Sequence, residues 1–119
     1  MPSTSRFVGE YIDRPADTVY AFASDPANLP RWAAGLRTDD RVRFAPRNDF
    51  GVLDHVVTTA SGDTVAVPMR VVPDGRGAEV VFTVRRLPGM TEAELDRDAG
   101  LVAADLATLK RLLEAGPVS

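Results

Sequence analysis

The sequence predicts a two-layer α+β fold, an antiparallel sheet covered by one long C-terminal helix, on three observations. Residues Thr91 to Ala115 carry an apolar stripe at helical spacing. From Arg41 to Leu87 the chain alternates short β-type runs with polar turns that hold glycine or proline. Ahead of these lie one β-type run, Ser5 to Asp13, and two short segments opened by proline. A sheet with one apolar face needs a cover, and a single amphipathic helix supplies it. The 119 residues are expected to form one domain, residues 1–119. A chain of that length buries roughly two thirds of its unfolded surface.

Taken in order, Ser5 to Asp13 is the first strand, with Phe7, Val8, Tyr11 and Ile12 as β-type residues on both faces. Pro15 fits the first position of a helix and Asp17 suits its first turn, while Val19, Tyr20 and Phe22 form its apolar side. Asp25-Pro26 opens a second short helix, a cap followed by proline, with Leu29 and Trp32 apolar and Pro30 limiting its length. Gly35 to Asp40 is a polar connection. Four strands follow: Arg41 to Pro46, Val52 to Thr59, Thr64 to Val72 and Ala78 to Leu87. Arg47-Asn48-Asp49 with Gly51, then Ser61-Gly62-Asp63, then Pro73-Asp74-Gly75 are the turns between them. Connections this short join antiparallel neighbours, so a meander is expected. With the first strand, the sheet has about five strands.

The last helix is the most fully marked. Leu95, Ala99, Val102, Leu106, Leu109 and Leu113 step by four and three, and Leu101 and Leu112 widen the stripe. Thr91 and Glu94 have the form of a capping box. Glu92, Glu94, Asp96 and Asp98 crowd the first turns while Lys110 and Arg111 sit near the end, an order that suits the helix dipole. Gly116 and Pro117 supply the stop. Such a helix runs roughly 35 Å. The same heptads would serve a coiled coil, but Gly100 and the shortness of the run favour packing on a sheet.

Composition excludes several functions. The net charge of −3 and the scattered arginines make no electrostatic case for nucleic acid or an anionic membrane. Without cysteine there is no disulfide or thiol nucleophile, and one histidine is no basis for a zinc cluster. Met1 to Arg6 is polar and lacks an apolar signal core, and no run approaches membrane-spanning length. A cytoplasmic protein is expected. There is no nucleophile elbow, P-loop or dinucleotide fingerprint, and neither a cofactor nor a metal is expected.

The run Phe7 to Leu36 resembles the opening of SRPBCC (START-like, polyketide cyclase/dehydrase-type) proteins. It reads Ile12-Asp13-Arg14-Pro15-Ala16-Asp17 through Val19-Tyr20-Ala21-Phe22 to Asp25-Pro26-Ala27-Asn28-Leu29-Pro30-Arg31-Trp32. In that family a first strand leads through a proline-started helix into a second helix ending at a tryptophan. Val102 to Glu114, with Asp105-Leu106 and Leu109-Lys110, is similar to their terminal helix. The resemblance spans nearly the whole chain. It implies a helix-grip fold, a curved antiparallel sheet around the C-terminal helix with a ligand cavity between them. The family usually has seven strands. Between Trp32 and Arg41 there is room for a loop and not for the customary extra pair, so this is a shortened member.

Alternation across strands sorts the candidate residues. Val65, Val67, Met69 and Val71 share the helix-facing side with Val80, Phe82 and Val84, while Arg70, Glu79, Thr83 and Arg85 point away. Asp54 and His55 fall on opposite faces and so cannot form an adjacent acid–base dyad. Leu53 and Val57 are the stronger core pair, which turns His55 inward. There it is either a core-edge histidine bonded to a tyrosine or backbone group, or a proton-transfer group. Glu10 shares parity with Val8 and Ile12, which directs it toward the cavity; the alternative is a solvated carboxylate at the rim. Tyr11 and Tyr20 could donate hydrogen bonds to a ligand carbonyl or to the core. Trp32 is a packing anchor whose family counterpart often borders the cavity. The expected wall includes Trp32, Met69, Phe82 and the Val102–Leu106 turn.

The function expected is binding of a small hydrophobic or aromatic ligand between sheet and helix. The alternatives are a polyketide cyclase/dehydratase-like enzyme using His55 or Glu10 as acid/base, and an interaction domain with a filled core. With five strands, Arg6 to Ile12 and Arg41 to Pro46 are the two sheet edges. A homodimer is expected in which Phe7 to Ile12, or the cavity opening beside it, meets a second copy across a two-fold axis.

Overall fold

Strand β1 (Arg6–Ile12) opens the chain with alternating exposure, Val8, Glu10 and Ile12 toward the interior and Phe7, Gly9 and Tyr11 outward. The computed structural model describes residues 5–34 and 40–115. The stop at Gly116 and Pro117 and most of the connection Gly35 to Asp40 lie outside the described residues. Helix α1 (Ala16–Ala23) starts just after Pro15, whose carbonyl accepts from the amides of Thr18 and Val19. Asp25 caps the next turn by accepting from the Ala27 amide at 3.0 Å, and the short helix α2 (Leu29–Trp32) follows, burying Leu29 and Trp32. The remaining elements are β2 (Arg41–Phe44), β3 (His55–Thr58), β4 (Thr64–Val67), β5 (Met69–Asp74), β6 (Gly77–Val84) and α3 (Glu92–Ala115).

The fold is α+β, with antiparallel strands packed on a long C-terminal helix. There are six strands where five were expected, because the run Thr64 to Val72 divides at Pro68. Proline has no amide hydrogen for the ladder. The strands form two three-stranded antiparallel sheets, β1-β6-β5 and β2-β3-β4. The meander order survives the division, since the Leu53 amide donates to the Met69 carbonyl (2.9 Å) and the Val71 amide to the Gly51 carbonyl (2.8 Å). Residues 51–53 thereby join the strand β3 to β5. Asp54 takes the next rung with its side chain, accepting from the Met69 amide at 2.9 Å, so regular pairing begins only at His55. On the other side, the Thr83 amide reaches the Pro68 carbonyl (3.0 Å), and β4 makes no ladder with β6. The sheet splits there.

Helix α3 lies along β1 and β6, and α1 packs on β5 and β6. Arg6 pairs with Glu92 (2.7 Å) and Asp96 (3.0 Å) near the start of α3. Near its end, Lys110 donates to the Tyr11 carbonyl (2.7 Å) and Glu114 accepts from the Asp13 amide (2.8 Å). These side chains satisfy part of the backbone edge of β1. The strand is the outer member of its sheet, as β2 is of the other. The core joins Ile12, Val19, Leu53, Val71 and Val80 to Leu106 and Leu109. The buried stripe of α3 is narrower than expected: Leu101 is 54% exposed, because it sits a full 100° around the helix from Val102.

Both arms of the capping box are formed, the Glu94 amide donating to Thr91 Oγ1 (3.1 Å) and the Thr91 amide to Glu94 Oε1 (2.9 Å). Thr91→Ala removes one arm and should cost about 1 kcal/mol of stability in chemical denaturation. A change within about 0.2 kcal/mol would show that the first turn of α3 frays freely in the native state.

Candidate functional site

Two helices and four strands wall a cavity of about 140 Å³. Leu29, Trp32 and Ala33 come from α2 and its end, Val102, Asp105 and Leu106 from α3, and Val42, His55, Val57, Val67 and Phe82 from the strands. The strand residues share one face through alternation, and Val102, Asp105 and Leu106 share one through the three- and four-residue steps of a helix. Where β4 departs from β6 a groove of about 220 Å³ continues past Val67, Phe82, Val102 and Asp105 to Leu87 and Leu101. The split caused by Pro68 is therefore also the cavity's side opening.

Three polar groups interrupt the apolar lining. His55 Nδ1 lies 2.8 Å from the Leu53 carbonyl. A carbonyl only accepts, so Nδ1 carries the hydrogen and, in the neutral ring, Nε2 is left as an acceptor. The imidazole stands between Phe44 (ring centroids 5.2 Å apart) and Phe82 (6.1 Å). Burial lowers its pKa below the ordinary 6.5, against the smaller opposing effects of the Leu53 bond and the charge of Asp54. The indole of Trp32 is 4% exposed, and its Nε1–H is buried with no hydrogen-bond partner. Asp105 Oδ1 accepts from the Ala34 amide at 3.3 Å, which ties the end of α2 to α3.

Other expected site residues lie elsewhere. Met69 shares the inner parity but is completely buried in the solid core, because β5 runs beneath α1 after the break at Pro68. Tyr11 is 40% exposed on the outer face of β1, its ring under Lys110 Nζ and its hydroxyl over Gly77. Glu10 does point inward from β1, yet it lies near Lys110 and is not part of the cavity wall, so it is not brought to His55. Tyr20 accepts from the Asn48 amide (3.1 Å) on the far side of α1. Asp105 lies within the Val102–Leu106 turn expected on the wall without being singled out there; its position three after Val102 and beside Leu106 is the signal that points to it.

The histidine makes stability depend on pH. Its folded pKa lies below its unfolded value, so the unfolded chain binds more protons between the two and stability falls as pH drops through about 6.5. His55→Leu should flatten this part of the profile, read as melting temperature between pH 7.5 and 5.5. An unchanged slope would place the responsible proton on another group. Among the described residues no cluster of histidine and carboxylates could hold a metal ion, and no helix is long and apolar enough to cross a membrane.

No family model and no curated protein matches this sequence. Solved structures do. The chain is similar to CalU16 from Micromonospora echinospora, with a TM-score of 0.72 at 16% identity over 97% of this chain and 77% of that one. It is similar to DynU16, a putative protein in the dynemicin biosynthetic locus, with a TM-score of 0.75 at 16% identity over 97% of this chain and 49% of that one. The chain thus spans about half the length of DynU16. An AHSA1-like protein from Rhizobium etli gives a TM-score of 0.64 at 18% identity, covering 93% of this chain and 82% of that one. These neighbours have the SRPBCC/polyketide cyclase-like fold, and the likeness shows that this chain folds in the same way.

Proposed function

We propose that this protein binds a small, largely apolar or aromatic molecule in the cavity between the sheet and α3. One observation carries the reading: α2, α3 and the strands surround a cavity of about 140 Å³ whose wall is apolar apart from Trp32, His55 and Asp105. Apolar walls with a few polar groups are the usual make-up of a small-molecule site.

Trp32 is the only tryptophan, so its fluorescence reports directly on the cavity. Titration with one-ring aromatic compounds should change that signal saturably, and Val102→Phe, which fills the cavity, should weaken binding at least about tenfold. A linear, non-saturating response identical in both proteins would favour an interaction domain with a filled core. The neutral His55 on the same wall also suits proton transfer of the cyclase or dehydratase kind, with His55 as the base. No role in that reading falls to Glu10.

A further inference from the structure

We infer that the open edge of β1 is the contact between two copies of this chain. β1 pairs antiparallel with β1 of a second copy across a two-fold axis at Gly9, and the two β1-β6-β5 sheets merge into one.

The backbone register leaves this edge open. The Thr83 amide donates to the Pro68 carbonyl, on the β5 side of β6. Backbone groups alternate sides along a strand, so Val81 and Glu79 also face β5, while Phe82 and Val80 face β1. Their partners Val8 and Glu10 turn their backbone groups to β6, which leaves those of Phe7, Gly9 and Tyr11 directed away from the sheet. The bond from Lys110 to the Tyr11 carbonyl agrees with this phase. Apart from that bond, no described residue pairs with these outward groups. A row of unpaired donors and acceptors is a template for another strand.

The edge is complementary to itself. With the axis at Gly9, Phe7 stands opposite Tyr11 of the second copy and Gly9 opposite Gly9, each pair exchanging both backbone bonds. Phe7 is 74% exposed and Tyr11 40%, both on the outer face, so the pairing gives each an aromatic neighbour. Like charges stay apart, since Glu10 falls opposite Val8 and Arg6 opposite Ile12. On α3, Glu92, Asp96, Lys110 and Glu114 mark the side nearest this edge through their bonds to Arg6, Tyr11 and Asp13. Steps of three and four put Ala99, Ala103 and Ala107 on the same side, where short side chains let a second α3 lie alongside. The two-fold runs the helices antiparallel, which brings Glu92 and Asp96 of one copy toward Lys110 of the other. This charge complementarity, with the self-matching register, singles out a second copy as the occupant.

Sedimentation velocity on the full chain without ligand tests the contact, independently of the ligand-binding reading. A reversible dimer should form as the concentration rises from micromolar to several hundred micromolar, as suits a small interface. Phe7→Lys puts a charge on the edge at an exposed position and should raise the dissociation constant at least about tenfold, with an unchanged circular-dichroism spectrum. Disulfide trapping reads the register, and it is clean because the chain has no cysteine. Gly9→Cys should cross-link to itself under mild oxidation, since paired Cα atoms stand about 5.5 Å apart. Phe7→Cys should not, because its two copies lie about 14 Å apart along the ladder. A monomer at every concentration would overturn the inference and leave the edge to a strand from a different protein. A dimer equally strong in Phe7→Lys would overturn it too, as would cross-linking of Phe7→Cys but not Gly9→Cys. If Gly9→Cys fails to fold, sedimentation of the unaltered protein and of Phe7→Lys decides.

Discussion

Replacing Leu106 by alanine should lower the unfolding free energy by about 2–5 kcal/mol. Leu106 is 1% exposed, belongs to the core with Ile12, Val19 and Leu109, and also borders the cavity. Deleting a buried leucine loses the transfer energy of its methyl groups and adds a penalty for the space left behind. Here the space merges with an existing void of about 140 Å³, and α3 is held at both ends by the pairs of Arg6 and Lys110, so collapse around the gap is resisted. The upper half of the range is therefore expected. A domain is stable by only about 5–15 kcal/mol, so the variant should melt at a much lower urea concentration with an unchanged slope. Leu101→Ala, five residues earlier and about 140° around the helix on the exposed side, should stay within about 0.5 kcal/mol. A loss below about half a kilocalorie per mole for Leu106→Ala would mean that α3 presents a different face to the sheet.

Gly51→Ala should cost at least about 2 kcal/mol although it adds a single methyl group. Gly51 has φ = +73°, and a Cβ there would stand 2.0 Å from the Val71 carbonyl oxygen. The obstacle is backbone, which cannot swing aside as a long side chain would. Relief requires breaking the Val71–Gly51 hydrogen bond, one of the two that join residues 51–53 to β5. Loss of this junction loosens the attachment of β3 to the rest of the sheet, and with it the wall that carries His55. Amide exchange of Val71 should accelerate in step with the loss of stability. Gly62→Ala is the control: φ is +92° but nothing lies within 4 Å of the added atom, so only the conformational cost of roughly 1–2 kcal/mol is expected. A Gly51→Ala protein as stable as the original would show that the two sheets are not joined through this segment.

Much of the fold is legible in local sequence because local forces decide it. Thr91 and Glu94 mark the start of α3 since each satisfies the other's orphan amide, whatever lies beyond the first turn. Asp25 before Pro26 caps a turn for the same reason. Alternation sets the inner faces of β4, β5 and β6, so Val65, Val67, Met69 and Val71 keep one parity even across the break at Pro68. Periodicity says which way a side chain faces. It does not say what stands opposite.

The sequence alone therefore determines the order of elements, most of the helix-facing residues and two of the outer strands, β1 and β2, all of which follow from spacing, capping and short connections. Tertiary structure decides what those faces meet. Met69 and Val67 share a parity, yet Met69 is sealed beneath α1 while Val67 borders open space, because Pro68 withholds one amide and the sheet divides between them. Glu10 and His55 both turn inward and still do not meet, since α3 lies along β1 and draws Glu10 toward Lys110. Asp105 enters the cavity wall, and Trp32 Nε1 is left without a partner, only once α2 closes on α3. Each of these depends on two or three segments distant in the chain, and the relative position of such segments is set by packing rather than by the pattern within any one of them.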